Sequence, residues 1–211
     1  MQIVALLFEG LTALDIVGPY EVLQRIPGAQ VRFVARETGP VRTDNGYLAL
    51  HADATLADTT SADVLVVPGG FATVALERDA ELLEWIRTVH ATTTWTTSVC
   101  TGSMLLAAAG LLEGLSATTH WFQLDRLAEY GATPTADRVV EQGKIITAAG
   151  VSSGIDMALV LVERIMGAAV AQAIQLSIEY DPQPPFDAGS PVKAGPEIVD
   201  LVRAAAANGA R

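Results

Sequence analysis

The chain has 211 residues, 50% of them hydrophobic and 18% charged, a composition that excludes disorder and leaves enough apolar material for a sizeable core. Acidic residues outnumber basic ones 24 to 13, for a net charge of −11. No Lys/Arg cluster interrupts that balance, which argues against nucleic acid and anionic membrane as partners. No apolar run approaches the roughly 20 residues that a membrane span requires. Met1 leads into apolar sequence without a basic leader, so the expected setting is cytoplasmic.

In chain order, Gln2 to Phe8 is a short apolar run, followed by a helical pattern from about Pro19 to Arg25 with proline in its first turn. Gln30 to Arg36 is the next strand. Asn45-Gly46 then turns a hairpin spanning about Val41 to Leu50. Asp63 to Val67 is continuously apolar and ends in Pro68-Gly69-Gly70, as expected of a strand covered on both faces. A helix near Glu81 to His90 precedes β-branched Thr93 to Val99, which runs directly into Cys100 and an Ala/Leu-rich helix ended by Gly110. A helix near Phe122 to Tyr130, short strands around Val139 and Ile145 to Ala148, and a long helix after Gly150, capped by Ser152 or Ser153, complete the alternation. A Pro-rich stretch, Asp181 to Pro191, leads to a last helix near Glu197 to Ala207. The order β-α-β-α predicts an α/β domain with a doubly wound, mostly parallel sheet, and no repeat or mid-chain linker divides 1–211.

In such sheets ligands bind beyond the carboxyl ends of the strands, which directs attention to Asp15, Gly69-Gly70, Cys100 and Gly150. Ser98-Val99-Cys100-Thr101-Gly102 has the pattern of a nucleophile elbow, with small residues two places either side of a central nucleophile. Cys100 is the sole cysteine, so no intramolecular disulfide and no multi-cysteine metal site is possible. By residue type alone it could be a small buried hydrophobe. At an elbow opening a helix it is instead expected to be a solvent-reachable thiol of low pKa. Asp15 could merely cap a helix; beside Cys100, like-charge repulsion would raise both pKa values and leave one proton on the pair. His120 invites a Cys-His dyad but is equally explained by packing beside the elbow helix. Trp121, Phe71 and Tyr20 could line an apolar pocket or belong to the core. Asp156, Glu179 and Asp187 lack metal-ligand spacing, and neither metal nor organic cofactor is expected.

Thr97-Ser98-Val99-Cys100-Thr101-Gly102-Ser103, Ala107-Ala108-Ala109-Gly110-Leu111-Leu112, Thr118-Thr119-His120-Trp121 and the Pro184-Pro185-Phe186 segment after Glu179-Tyr180 resemble the DJ-1/PfpI superfamily over essentially the whole chain. Within it the match is nearest the isocyanide hydratases, through Leu14-Asp15-Ile16-Val17-Gly18-Pro19 together with that late segment. The resemblance implies a flavodoxin-like fold, a Cys100 nucleophile, an acidic partner at Asp15, and a homodimer. Thr101 stands where the superfamily's proteases have histidine, so peptidase activity is not expected.

The activity so implied is addition of water to an isocyanide to give an N-substituted formamide. Cys100 would carry a thioimidate, Asp15 the proton, and Thr101 would orient the acid. Charge would be met by backbone near Gly70, Thr101 and Val151, with His120 nearby. Two other functions share much of the pattern: a DJ-1-like oxidation-responsive or aldehyde-hydrating protein, and a non-catalytic ligand-sensing domain. The acidic balance and the lack of a basic recognition helix weigh against the last.

Overall fold

Ile3 to Leu6 are apolar without alternation, and in a computed structural model, which describes residues 1–207, they form β1 (Gln2–Leu6) with every residue after Gln2 buried. The same holds for β6 (Val64–Val67) and β11 (Ile145–Ala148), and for all of β7 (Trp95–Val99) beyond Trp95. A strand buried on both faces cannot show period-two patterning, which is why these segments read as solid apolar runs. With β2 (Gln30–Ala35), β5 (Ala54–Thr55) and β10 (Val139–Gln142) they build a seven-stranded sheet of order β10-β11-β7-β6-β1-β2-β5. Only the β10/β11 pair is antiparallel. The hairpin β3 (Gly39–Arg42) and β4 (Ala49–Ala52) pairs separately, as does the short pair β8 (Ser116–Ala117) and β9 (Thr133–Pro134).

β1 and β6 are neighbours, with register Ile3 to Val64, but their onward connections lead to opposite sides of the sheet, to β2 and to β7. The topological switch point, where α/β sheets open a crevice, therefore lies at the carboxyl ends of β1 and β6. Asp15 and Gly69 follow these two strands.

Helix α1 (Ala13–Leu23) starts six residues before Pro19, not at it. Proline in the helix leaves the Asp15 carbonyl without its usual N–H partner, a loss offset by packing on α5 (Ser153–Met166). Gly18 lets the two helices approach, since a Cβ there would lie 3.0 Å from Ile155. Neither Ser152 nor Ser153 caps α5: Ser152 is in helical conformation, and Ser153 Oγ donates to the Gly150 carbonyl at 2.9 Å. The long helix predicted here breaks at Gly167 (φ 86°), beyond which α6 (Ala168–Ser177) folds back against α5. Two more helices, α2 (Thr73–Leu76) and α3 (Ala80–Thr92), connect β6 to β7, and α4 (Gly102–Ala108) follows the elbow. The segment Trp121–Tyr130 is a 3-10 helix ending at Gly131 in left-handed conformation.

Met1–Ile178 forms one compact unit, and a second begins at Glu179. In the second, α7 (Pro191–Ala207) begins before the predicted Glu197 and is kinked at Gly195, ahead of Pro196. Among the described residues no helix is long and apolar enough to cross a membrane.

Candidate active site

The elbow exists because three backbones meet where side chains would not fit. Cys100 has φ 56°, a left-handed conformation that a non-glycine residue holds only when its surroundings enforce it. Those surroundings are hydrogen bonds. Cys100 N–H donates to the Ala148 and Ala149 carbonyls at 3.1 and 3.0 Å, and the Cys100 carbonyl accepts from Thr119 Oγ1 at 2.9 Å and Ser103 Oγ at 3.2 Å. Gly102 lies against the end of β6, where a Cβ would be 2.2 Å from the Val67 carbonyl oxygen.

Asp15 is the third residue of α1 and fully buried. Its Oδ2 accepts the Gly69 N–H at 2.9 Å, while Oδ1 has no partner of ordinary hydrogen-bond geometry. Burial pushes this carboxyl up to about 7. The Gly69 N–H and the Cys100 thiol work in the opposite sense, and the negative charge of Asp44 adds a little to the rise.

The Cys100 thiol is raised too, to about 12, by burial first and then by Asp15. This corrects the expectation of an exposed, low-pKa thiol, since Cys100 is only 5% exposed. The N–H groups of Thr101 and Val151, and last the Thr101 side chain, favour the thiolate, yet desolvation outweighs them. A helix as short as α4 adds little dipole to that balance. The expectation that both members of the pair titrate high agrees with the geometry. Between about 7 and about 12 the two groups together hold one proton.

Thr101 Oγ1 does not reach Asp15 through any hydrogen bond of ordinary geometry. It accepts the Gly70 N–H at 2.9 Å and donates to the Gly70 carbonyl at 3.1 Å. Gly70 N–H is therefore engaged by a side chain, and the donors facing the sulfur are those of Thr101 and Val151. Val151 itself sits at φ 23°, an unusual value for a β-branched residue.

His120 precedes the 3-10 helix. Its Nδ1 accepts the Phe122 N–H at 3.3 Å, which assigns the ring proton to Nε2, and burial lowers its pKa, so it is neutral near pH 7. Its ring lies on Gly150, where a Cβ would be 2.6 Å from Cδ2. His120 thus borders the Gly150-Val151 turn. Trp121 stacks on Phe122 with ring centroids 4.1 Å apart.

Phe71, directly after Gly70, is 56% exposed, while Tyr20 packs on Phe33 and lines an apolar recess together with Ile3, Ile16, Pro19 and Leu23. Tyr20 thus lines an apolar recess, one of the two places expected for it, and no residue of the elbow lines that recess. Among the described residues no group of His, Cys, Asp and Glu could hold a metal ion. Sequence reasoning missed Gly69 as the donor to Asp15 and Thr119 as the support of the elbow carbonyl. Gly69 carried a signal in Pro68-Gly69-Gly70: a Cβ at Gly69 would lie 2.5 Å from Thr101 N and 3.0 Å from Asp15 Oδ2.

A family model described as DJ-1/PfpI family matches residues 1–164. Isonitrile hydratase from Pseudomonas putida is 45% identical over 207 residues, covering 98% of this chain and 90% of that protein. A helix-turn-helix-type transcriptional regulator from Pseudomonas aeruginosa is 30% identical over 182 residues, which cover 83% of this chain and 53% of the regulator. The crystal structure of a ThiJ/PfpI family protein from Pseudomonas syringae superposes with a TM-score of 0.92 at 40% identity, covering 97% of this chain and 86% of that one. Oxidized DJ-1 from Toxoplasma gondii superposes at 0.75 with 24% identity over 86% of this chain and 99% of its own, a likeness of fold.

Proposed function

Because the chain belongs to the DJ-1/PfpI family and is a homologue of isonitrile hydratase over nearly its full length, we propose that it hydrates isonitriles (isocyanides) to N-substituted formamides. The observation that carries this reading is the Asp15–Cys100 pair, a carboxyl and a thiol buried together so that one proton serves both.

Addition of a thiol to R–N≡C needs a sulfur nucleophile and a proton at the same carbon. In the singly protonated pair, a shift of the thiol proton to Asp15 leaves a thiolate, held by the Thr101 and Val151 N–H groups. As sulfur bonds the terminal carbon, Asp15 protonates that carbon, giving the thioimidate R–N=CH–S on Cys100 and an Asp15 carboxylate. The carboxylate then takes a proton from water as the oxygen adds to the carbon, and that proton passes to nitrogen. Collapse of R–NH–CH(OH)–S releases R–NH–CHO, and the hydroxyl proton returns to the pair. One water is consumed and the single-proton state is restored, so covalent catalysis divides one difficult addition into two. His120, neutral and carrying its proton on Nε2, stands beside Gly150-Val151 as a further donor.

Incubating the protein with a simple aliphatic isonitrile and reading the products by mass spectrometry tests this. The expected result is the N-alkylformamide, one mole per mole of isonitrile consumed; isonitrile recovered unchanged would remove the reading.

The chain is also proposed to pair with a second copy. Support comes from the family resemblance and from large apolar side chains left exposed on single helices: Leu176 (77% exposed) on α6, and Val192 (94%) and Leu201 (66%) on α7.

A further inference from the structure

The connection that follows β6 is held to the core by few apolar side chains, Ala72 and Leu76, both only partly buried. Thr73 is the only buried residue of α2, while Phe71 and Val74 are 56% and 52% exposed. Segments so poorly anchored open easily. Yet this one begins with Gly69 and Gly70, whose N–H groups meet Asp15 and Thr101.

Glu77 fastens its far end. The Glu77 side chain is 5% exposed, and its carboxylate receives Arg126 Nη1 at 3.2 Å, Arg126 Nη2 at 2.6 Å and Tyr130 OH at 2.7 Å. Charge-assisted bonds of this kind are the stronger class of hydrogen bond. Burial and the Glu77 charge push Tyr130 up to about 12, so its hydroxyl remains a donor. Both partners belong to the 3-10 helix that starts beside His120. On the other side, Glu77 N–H donates to the Thr73 carbonyl at 2.8 Å, and Thr73 Oγ1 donates to the Gly70 carbonyl at 2.8 Å. An unbroken series of hydrogen bonds thus joins the 3-10 helix to the glycine turn.

We propose that Glu77 is a positioning residue of the active site: by tying the 70–77 connection to Arg126 and Tyr130, it holds the Gly69 N–H on Asp15 and the Gly70 N–H on Thr101. This rests on the reading of Asp15 and Cys100 as the reacting pair. The Gly69 bond favours the Asp15 carboxylate. The other ionisable groups that act on Asp15 are the Cys100 thiol, which also favours the carboxylate, and Asp44, which opposes it. Arg126 also meets Glu129 at 3.6 Å, and neither acts on Asp15 directly. Loosening the turn removes a stabilising donor, so Asp15 will hold its proton to higher pH.

Labelling of Cys100 by iodoacetamide, followed from about pH 5 to about pH 9, reads this without any isonitrile. In the wild type, labelling should rise through a step near 7, where Asp15 becomes able to accept the thiol proton. In Glu77→Gln the midpoint of the step should move up by about half a unit to one unit, with the melting curve and circular dichroism retained. Tyr130→Phe should give a smaller shift, and the double variant no more than Glu77→Gln alone, because both act through one carboxylate. In formamide assays the same variants should lose kcat more than they raise KM. A step unmoved in a folded Glu77→Gln protein would overturn the proposal, as would shifts that simply add in the double variant. Glu77→Ala, which creates a void, is the less informative change, and the near-isosteric Gln variant decides if it fails to fold. If the wild type makes no formamide, the hydratase reading fails while the labelling step still decides the role of Glu77.

Discussion

Thr101 and Gly70 are locked to one another through two hydrogen bonds, the hydroxyl accepting the Gly70 N–H at 2.9 Å and donating to the Gly70 carbonyl at 3.1 Å. The side chain after the nucleophile therefore joins the elbow to the glycine turn, and orients the acid only indirectly, through Gly69. Thr101→Val removes both bonds and leaves the Gly70 N–H unsatisfied, at a cost of about 1–3 kcal/mol for a buried donor. The expected outcome is a loss of about tenfold in kcat with the backbone N–H of residue 101 still in place, and recovery in Thr101→Ser; steady-state formamide kinetics would show it. Wild-type turnover in Thr101→Val would mean that the turn is held without this link.

Cys100→Ala should abolish formamide production and leave no covalent adduct, and Asp15→Asn should cost on the order of 10²–10⁴-fold, as expected for loss of a general acid–base. The pH dependence is the sharper check. With Asp15 titrating at about 7 and Cys100 at about 12, the singly protonated pair is the major form between them. kcat/KM should therefore rise with pH, level off above about 7 and lose this limb in Asp15→Asn. A rate that falls as pH climbs through neutrality would assign the reaction to the doubly protonated pair instead.

The same titration sets a stability trend. Unfolded, the Asp15 carboxyl ionises near its ordinary value of roughly 3.9; folded, it ionises at about 7, so the native state binds more protons between these values. Stability attached to this group is fully present below about pH 4, declines as pH rises toward 7, and is gone above it. The cost of holding the buried carboxylate at alkaline pH is on the order of a few kcal/mol. Asp15→Asn should thus melt at higher temperature than the wild type at about pH 8 and lose that advantage near pH 4. Thermal melts at the two pH values would show the crossover, and equal shifts at both would dissociate the carboxyl's burial from the stability of the fold.

Sedimentation at micromolar concentration should give about twice the chain mass of 22.1 kDa. Replacing Leu176 and Leu201, two exposed apolar side chains, with glutamate should weaken that association if those helices carry it. A monomer at every concentration would remove the second copy from the account.

Local sequence determined the framework. Runs such as Val64 to Val67 are apolar at every position, and only a strand covered on both faces calls for that, so the sheet class and the positions of its covered strands were legible, whereas the two-residue strands β5, β8 and β9 were not. The elbow was legible because a turn this tight needs a small residue such as Gly102 next to strand β6, and that constraint is written within five consecutive residues. What tertiary structure decided lies in contacts between residues distant along the chain. Asp15 takes its hydrogen bond from Gly69, 54 positions on; Thr101 takes its partner from Gly70, 31 back; Glu77 meets Arg126 across 49. The thiol's pKa belongs to the same class. A helix N-terminus, visible in sequence, would lower it, but burial and the Asp15 charge exist only once β1, β6 and β7 are side by side, and in a desolvated site those effects outweigh a short helix.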